Sequence, residues 1–384
     1  MRALSIGFLL VFFALSALPL AARYGKFGPS AELRGAVAPP AEVAFGAGSY
    51  FDGSFQKAFE ENFNAALGFR AALVRSDNEL NFRAFREFAP SPGTSMILGK
   101  QRFIYERQYV DAYNRRDLAP PEALEQKVQR LKLLQDYLVT RQSTLLVVIS
   151  PNKAAVYPEY LPKRFVAEER VRLTDNYTVF ARLLQKYGVN FLDAEAELLK
   201  NKASSPYPLF ANSGAHWNDP TACRVAGQIE TFILRAQGSS ELELECEPIV
   251  IAAQPKGSDR DLADLANLWF EDELFQPTPY ARPHVTQRGH VRRPAVLFIG
   301  SSFLWQILDY ENGYSLQSRD TFYYYYKARI SYPSRARTAL DPQRVDWERD
   351  VFRKQAVVIE INAAVIPNVG WGFLEDAERV IHGG

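Results

Sequence analysis

The chain is poor in the residues that build metal centres. Its 384 residues include two cysteines, Cys223 and Cys246, and four histidines, His216, His284, His290 and His382. They are scattered without metal-ligand spacing, which argues against a zinc site. No sign of charge dominates either. The formal net charge is +1. Phosphate recognition needs a concentrated basic surface, so nothing here points to nucleic acid. There is no internal repeat and no low-complexity segment, and no cofactor is expected.

What is present is ordinary for a folded protein with a substantial core: 47% hydrophobic and 23% charged residues. The length suits one large domain or two small ones. Aromatics make up 13% of the chain. They suit a sugar-binding cleft, but composition alone favours an aromatic core.

Long hydrophobic runs are scarce, and the clearest is at the N-terminus. Arg2 precedes an uncharged stretch over 3–22 that contains Leu9, Leu10, Val11, Phe12, Phe13 and Leu15, and Arg23 ends it. This reads as an export signal, and it is just long enough to span a bilayer. Pro19 to Ala22 offers a cleavage region, so 1–22 is a cleaved signal peptide or an uncleaved signal-anchor. Either way the remainder lies outside the cytoplasm, with Arg2 inside. Residues 23–48, rich in Gly, Pro and Ala, read as a flexible linker, and 49–384 as one domain. In an oxidising compartment Cys223 and Cys246 can form a disulfide; two buried free thiols are the alternative.

Within the domain, Phe55, Phe59, Phe63 and Leu67 recur every four positions and predict a helix over 54–87. The stretch 95–105 predicts short strands. From about 120 the pattern alternates. Pro120 and Pro121 open a helix with Leu124, Val128, Leu131, Leu134 and Leu138 on one side. Residues 144–149 form an apolar run expected of a strand buried on both faces. A helix over 174–187 stops at Gly188, and a short strand follows over 189–192. Asp219 and Pro220 predict a helix start, with Asp219 as N-cap. Residues 238–294 show no clear period and read as an insertion. Buried strands are expected at 295–299 and 356–361. This rhythm predicts an α/β fold with a parallel sheet covered by helices.

Two segments carry chemistry. The strand at 295–299 runs into Gly300-Ser301-Ser302-Phe303 and then a helix. That places Ser302 at the C-terminal edge of a sheet, where ligands bind in open α/β folds. The helix N-terminus supplies N–H groups for an oxyanion. The second segment, Ser213-Gly214-Ala215-His216-Trp217-Asn218-Asp219, presents one histidine just before a helix. A serine hydroxyl needs a base, and histidine is the usual one. Taken singly, each segment also fits a plain turn or cap.

Together with other short motifs, these segments resemble the SGNH-hydrolase-like acetyltransferase family that contains the alginate O-acetylation proteins AlgJ and AlgX. Asp52-Gly53-Ser54-Phe55 through Phe69-Arg70 resembles the family's opening segment, and Leu98-Gly99-Lys100 its hairpin. Ile149-Ser150-Pro151-Asn152-Lys153 and Val156-Tyr157-Pro158-Glu159 match the phrase after its first core strand. Ala215-His216-Trp217-Asn218 resembles its Asp-x-His-Trp segment, and Gly300-Ser301-Ser302-Phe303 its Gly-Asp-Ser-Phe segment. The strand ending in Glu360-Ile361-Asn362 resembles its last strand. The histidine segment precedes the serine, a circular permutation relative to ordinary SGNH hydrolases.

The resemblance implies a flavodoxin-like three-layer sandwich, with Ser302 as nucleophile and His216 as general base. Asn362 is a candidate oxyanion donor. It also implies O-acetyl transfer to an exported or cell-surface polysaccharide, a membrane-bound O-acyltransferase as donor partner, and a periplasmic site tethered to the inner membrane. Two positions depart from the family. Gly214 stands where the family has the triad Asp, and Ser301 where it has the Asp before the nucleophile. The first leaves the acid open: Asp193, Asp219 and Glu360 are candidates, a Ser–His dyad is another solution, and loss of catalysis a third. Water as acceptor would make the protein an acetylesterase; a missing acid would suit a non-catalytic polysaccharide-binding subunit. Trp217 either covers a sugar ring or wedges the histidine loop against the core. Glu360, a charge in an apolar strand, is expected to pair with an Arg at the sheet edge.

Overall fold

The computed structural model describes residues 2–25, 32–35, 44–89, 95–239, 242–289, 293–318, 322–324, 328–331 and 336–383. Most of the expected linker over 23–48, and His290, lie outside them. Contacts divide the chain into two units. One comprises 1–91 with 262–273, the other 92–261 with 274–384. The division at 91/92 differs from the expected boundary at 48/49.

The first unit is helical. Helix α1 (Arg2–Gly25) carries the apolar run. Over 5–25 it is long and apolar enough to cross a membrane. The phenylalanine stripe forms α2 (Ser54–Ala66), and α3 (Arg70–Phe85) follows. The helix expected over 54–87 is therefore two helices. Leu67 turns extended and Phe69 adopts a left-handed φ of 62°, so the i to i−4 ladder breaks between them.

The second unit holds the sheet. A small antiparallel hairpin pairs β1 (Met96–Leu98) with β2 (Ile104–Glu106). Then come α4 (Pro121–Thr140), β3 (Thr144–Ser150), α5 (Asn176–Tyr187), β4 (Phe191–Asp193), α6 (Asp219–Ala236), β5 (Val296–Ile299), α7 (Leu304–Gly313), β6 (Ala356–Asn362) and α8 (Phe373–Gly383). The four core strands run parallel in the order β4-β3-β6-β5. Side chains alternate across a strand. Leu145, Val147 and Ile149 of β3, with Val357, Ile359 and Ile361 of β6, share one core with Leu131 and Leu138 of α4, Phe180 of α5 and Phe373 of α8. On the other face α6 and α7 pack against each other, and α6 touches β3. This is the three-layer α/β architecture expected, and both faces of β3 and β6 are buried.

Three local readings change. The strand expected at 189–192 is shorter and later, at Phe191–Asp193. The N-cap of α6 is Asn218, whose side chain accepts from the Thr221 N–H, so Asp219 is the first helical residue. The aperiodic stretch 238–294 is not featureless. It contains two antiparallel ladders, Leu242–Glu245 with His284–Gln287 and Ile249–Ala252 with Thr278–Ala281. A Cys223–Cys246 disulfide ties the first of these to α6.

Candidate active site

Strand β5 ends at Ile299, and Gly300-Ser301-Ser302 makes the turn into α7. The turn lies hard against Glu360 of the neighbouring β6. A Cβ at position 300 would meet Glu360 Oε2 at 2.7 Å and Glu360 Cβ at 2.8 Å, so only glycine fits. Glu360 is fully buried. One carboxylate oxygen accepts the Ser301 N–H at 2.6 Å, and the other accepts the Ser150 hydroxyl. Burial pushes its carboxyl up, and these bonds oppose the shift. The expected arginine partner is replaced by a backbone N–H and a hydroxyl. Glu360 thus fastens the Gly300–Ser302 turn to the end of β3, and its oxygens are not the ones on His216 Nδ1.

The His216 loop reaches the same place from the N-terminal side of α6. His216 Nε2 lies 2.7 Å from Ser302 Oγ. The other ring nitrogen, Nδ1, lies 2.6 Å from Asp261 Oδ2. The second oxygen of Asp261 accepts the Ala215 N–H at 2.8 Å, so one carboxylate orients both the ring and its loop. Burial disfavours the imidazolium. Asp261 in contact, with Glu106 and Glu360 beyond it, more than offsets this, and the His216 pKa stands above its ordinary value. The imidazole packs on Phe303, ring centroids 4.7 Å apart.

The acid is therefore none of the three residues singled out from sequence. Asp193 caps the helix Ala194–Asn201 and accepts the Tyr177 hydroxyl. Asp219 accepts the Ala281 N–H at 2.7 Å. Asp261 comes from the aperiodic stretch, where periodicity gives no guide. The glycine at 214 explains how it arrives. A Cβ there would meet Ser258 O at 2.5 Å and Asp259 Cα at 2.9 Å. The segment that delivers Asp261 thus occupies the space a family-type aspartate at 214 would need. The Ser213 hydroxyl donates to Asp259 O at 2.8 Å and secures that approach.

Lys153 supports the loop from beneath. It is fully buried. Its Nζ lies 2.8, 3.0 and 2.6 Å from the carbonyls of Ala211, Asn212 and Gly214. Phe103 and Tyr105 cover it. Burial pushes its pKa down to about 7 against the pull of Asp261, Asp259 and Glu106. Only an ammonium can donate to all three carbonyls at once, which favours the charged form further.

Two other expectations change. Trp217 is fully buried, edge-on to Phe303 at 5.1 Å. It has no face to offer a sugar and acts as the wedge. Asn362 spends its amide N–H groups on Pro151 O at 2.9 Å and Ser150 Oγ at 3.3 Å, and its oxygen accepts the Ala364 N–H. It closes the ends of β3 and β6 and has no donor left for an oxyanion. Among the described residues no acceptor is bonded to the Ser302 N–H, which stands at the N-terminus of α7. No cluster of three or more metal-ligating side chains occurs among the described residues.

A family model described as SGNH hydrolase-like domain, acetyltransferase AlgX, matches residues 97–309, more than half of the chain. The chain belongs to this family. Its sequence is 24% identical over 229 residues to a probable alginate O-acetylase AlgJ of Pseudomonas putida, covering 58% of this chain and 54% of that protein. It is 26% identical over 227 residues to the same-named protein of Pseudomonas syringae pv. tomato, covering 58% and 53%. The chain thus spans about half the length of these relatives. Among solved structures, the O-acetyltransferase domain of P. putida AlgJ aligns with a TM-score of 0.46 at 20% identity, covering 71% of this chain and 92% of that one. Pseudomonas aeruginosa AlgX aligns with a TM-score of 0.43 at 12% identity, covering 79% and 70%.

Three outcomes follow from this geometry. Asp261→Asn is expected to lower kcat by up to about 10⁴-fold, the effect of disturbing the acid partner of a catalytic histidine. It also removes the charge that raises His216. The low-pH limb of kcat/KM, where the imidazole must be neutral to act as base, is therefore expected to move to lower pH. An ester-hydrolysis pH profile checks both. Gly214→Ala is expected to displace the 258–261 segment and cost kcat about 10²-fold, the scale of an ångström-sized misplacement, while far-UV circular dichroism stays unchanged. Lys153→Met leaves the Gly214 carbonyl without its donor, at roughly 1–3 kcal/mol, and takes one of two donors from each of the Ala211 and Asn212 carbonyls. Both the denaturant midpoint and kcat are expected to fall.

Proposed function

We propose that the protein is an O-acetyltransferase that moves acetyl groups onto a polysaccharide outside the cytoplasm. The observation that carries this is the continuous hydrogen-bonded path Asp261–His216–Ser302. Membership of an acetyltransferase family supports it.

In the proposed reaction, Ser302 Oγ attacks the acetyl carbonyl of the donor while His216 Nε2 takes the hydroxyl proton. Asp261 steadies the imidazolium and fixes Nδ1 as its donor. The tetrahedral oxyanion forms beside the Ser302 N–H and the first turn of α7. It collapses with loss of the donor's leaving group, which takes the proton from His216. A sugar hydroxyl then attacks acetyl-Ser302, giving its proton to His216, and Ser302 leaves with that proton. The bond made to the sugar oxygen replaces the bond broken at Ser302, and His216 ends neutral.

The donor is a membrane-bound O-acyltransferase partner, because free acetyl-CoA is absent outside the cytoplasm. The protein is periplasmic and tethered by α1, which is long and apolar enough to cross a membrane. The relatives' names make alginate the first acceptor to test. The Asp261 contact favours an enzyme over a non-catalytic subunit.

The test uses the purified protein with a chromogenic acetyl ester and an oligosaccharide acceptor. Wild type is expected to gain one acetyl group on Ser302 and to pass it to the sugar, both seen by mass spectrometry. Ser302→Ala is expected to do neither. Acetate released without acetylated sugar would make the protein an esterase, and no ester turnover by wild type would end the enzyme reading.

A further inference from the structure

Six aromatic rings form a connected chain on the surface of the first unit. Phe45 contacts Tyr50 at 6.1 Å and Phe55 at 5.0 Å, and Tyr50 contacts Phe51 at 5.7 Å. Phe55 continues to Phe59 at 6.2 Å, and Phe59 to Phe63 at 6.1 Å. Much of this is open: Phe51 is 86% exposed, Phe45 72% and Phe59 60%. A contiguous apolar patch of this kind marks an interaction surface, unlike isolated exposed hydrophobes.

Helix α2 is built to present it. At 100° per residue, Phe55, Phe59, Phe63 and Ala66 fall within one quadrant. Lys57, Glu60, Glu61 and Asn64 fall on the opposite side. This is the pattern of a helix lying along an interface, apolar face in and charged face out.

The position of α2 relative to α1 says which interface. The Gly68 N–H, just beyond α2, donates to Pro19 O at 3.1 Å. A Cβ at position 68 would meet Pro19 O at 2.6 Å, Ala22 Cβ at 2.7 Å and Arg23 N at 2.9 Å. This close approach requires glycine, and it buries Ala22. Pro19 to Arg23 is where the apolar run of α1 gives way to charge. In a spanning helix that point lies at the membrane surface, with Arg23 reaching to the headgroups. The end of α2 is fastened at that depth.

We propose that α2 lies in the surface layer of the same bilayer that α1 spans, with Phe51, Phe55, Phe59 and Phe63 among the acyl chains. The inference rests on the tethered reading of α1. Ring geometry favours lipid over a polysaccharide occupant. Phe55, Phe59 and Phe63 stack on one another with interplanar angles of 27° and 17°. Rings stacked in a row cover part of each other's faces, whereas a pyranose needs a free ring face. The consequence is a second attachment that restricts how the tethered protein rotates about α1, since lipid binding at one helix and spanning at another fix two points.

The test is nitroxide accessibility in the full chain, reconstituted into phosphatidylethanolamine–phosphatidylglycerol vesicles. The native cysteines are joined in a disulfide, so single labels at Phe59→Cys, Phe63→Cys, Asn64→Cys and Leu10→Cys are selective. Collision with apolar oxygen is compared with collision with a water-soluble nickel chelate. The expected oxygen-to-nickel ratio at 59 and 63 is severalfold above that at 64 and below that at 10, which lies deeper in the bilayer. Equal ratios at 59 and 64 overturn the proposal. Shielding of 59 from both reagents also overturns it, because that signature belongs to a protein partner. The label at 10 separates the two readings. Lipid contact at 10 with water contact at 59 sinks the interfacial helix alone, and water contact at 10 sinks the tether.

Discussion

The proposed chemistry depends on one contact, Asp261 to His216 Nδ1. A buried imidazole without a partner loses its proton more easily and can turn either nitrogen toward the serine. The carboxylate settles both matters, since it raises the ring's basicity and leaves Nε2 as the acceptor facing Ser302. Other features serve that contact. Gly214 lets the 258–261 segment approach, and the Ser213 hydroxyl holds it there. Lys153 collects three carbonyls of the loop, so the strand of backbone carrying His216 cannot drift from beneath. On the serine side Glu360 has the same office, with its two oxygens gripping Ser301 and Ser150.

How much of this was readable in the chain follows from the range of the forces involved. Strands β3, β5 and β6 are continuous apolar runs, because a strand covered on both faces has no polar side to encode. Helices α4 and α5 carry their period and their stop signals locally. Ser302 and His216 sit in short segments whose neighbours fix the geometry, so their pairing across 86 positions was legible from motif and topology. Asp261 was not. Its role exists only through a tertiary approach, and the stretch around it shows neither period nor motif. The chain recorded the vacancy at Gly214 but not what filled it.

Other side chains are fixed by the same tertiary approach. Trp217 stands beside His216 in sequence, but adjacency does not say on which side of a loop a ring points, and this one points inward, the wedge of the two readings. Glu360 was rightly singled out as a charge in an apolar strand. Its partners are the Ser150 hydroxyl at the end of β3 and the Ser301 backbone N–H in the turn after β5, which no pairing rule between side chains would find. Asn362 sits near the correct end of the sheet, yet its amide is consumed in closing that end.

The position of the acid matters less than the conditions it meets. A triad requires a carboxylate within hydrogen-bond reach of Nδ1 and held by a second anchor. Asp261 meets these from a segment 45 residues after the histidine, with the Ala215 N–H as its anchor. The 258–261 backbone fills the space that a side chain at residue 214 would need, so residue 214 must be glycine. An aspartate placed at 214 would expel the segment that carries Asp261. The two positions are thus coupled by excluded volume, and neither can be read as conserved or lost without the other.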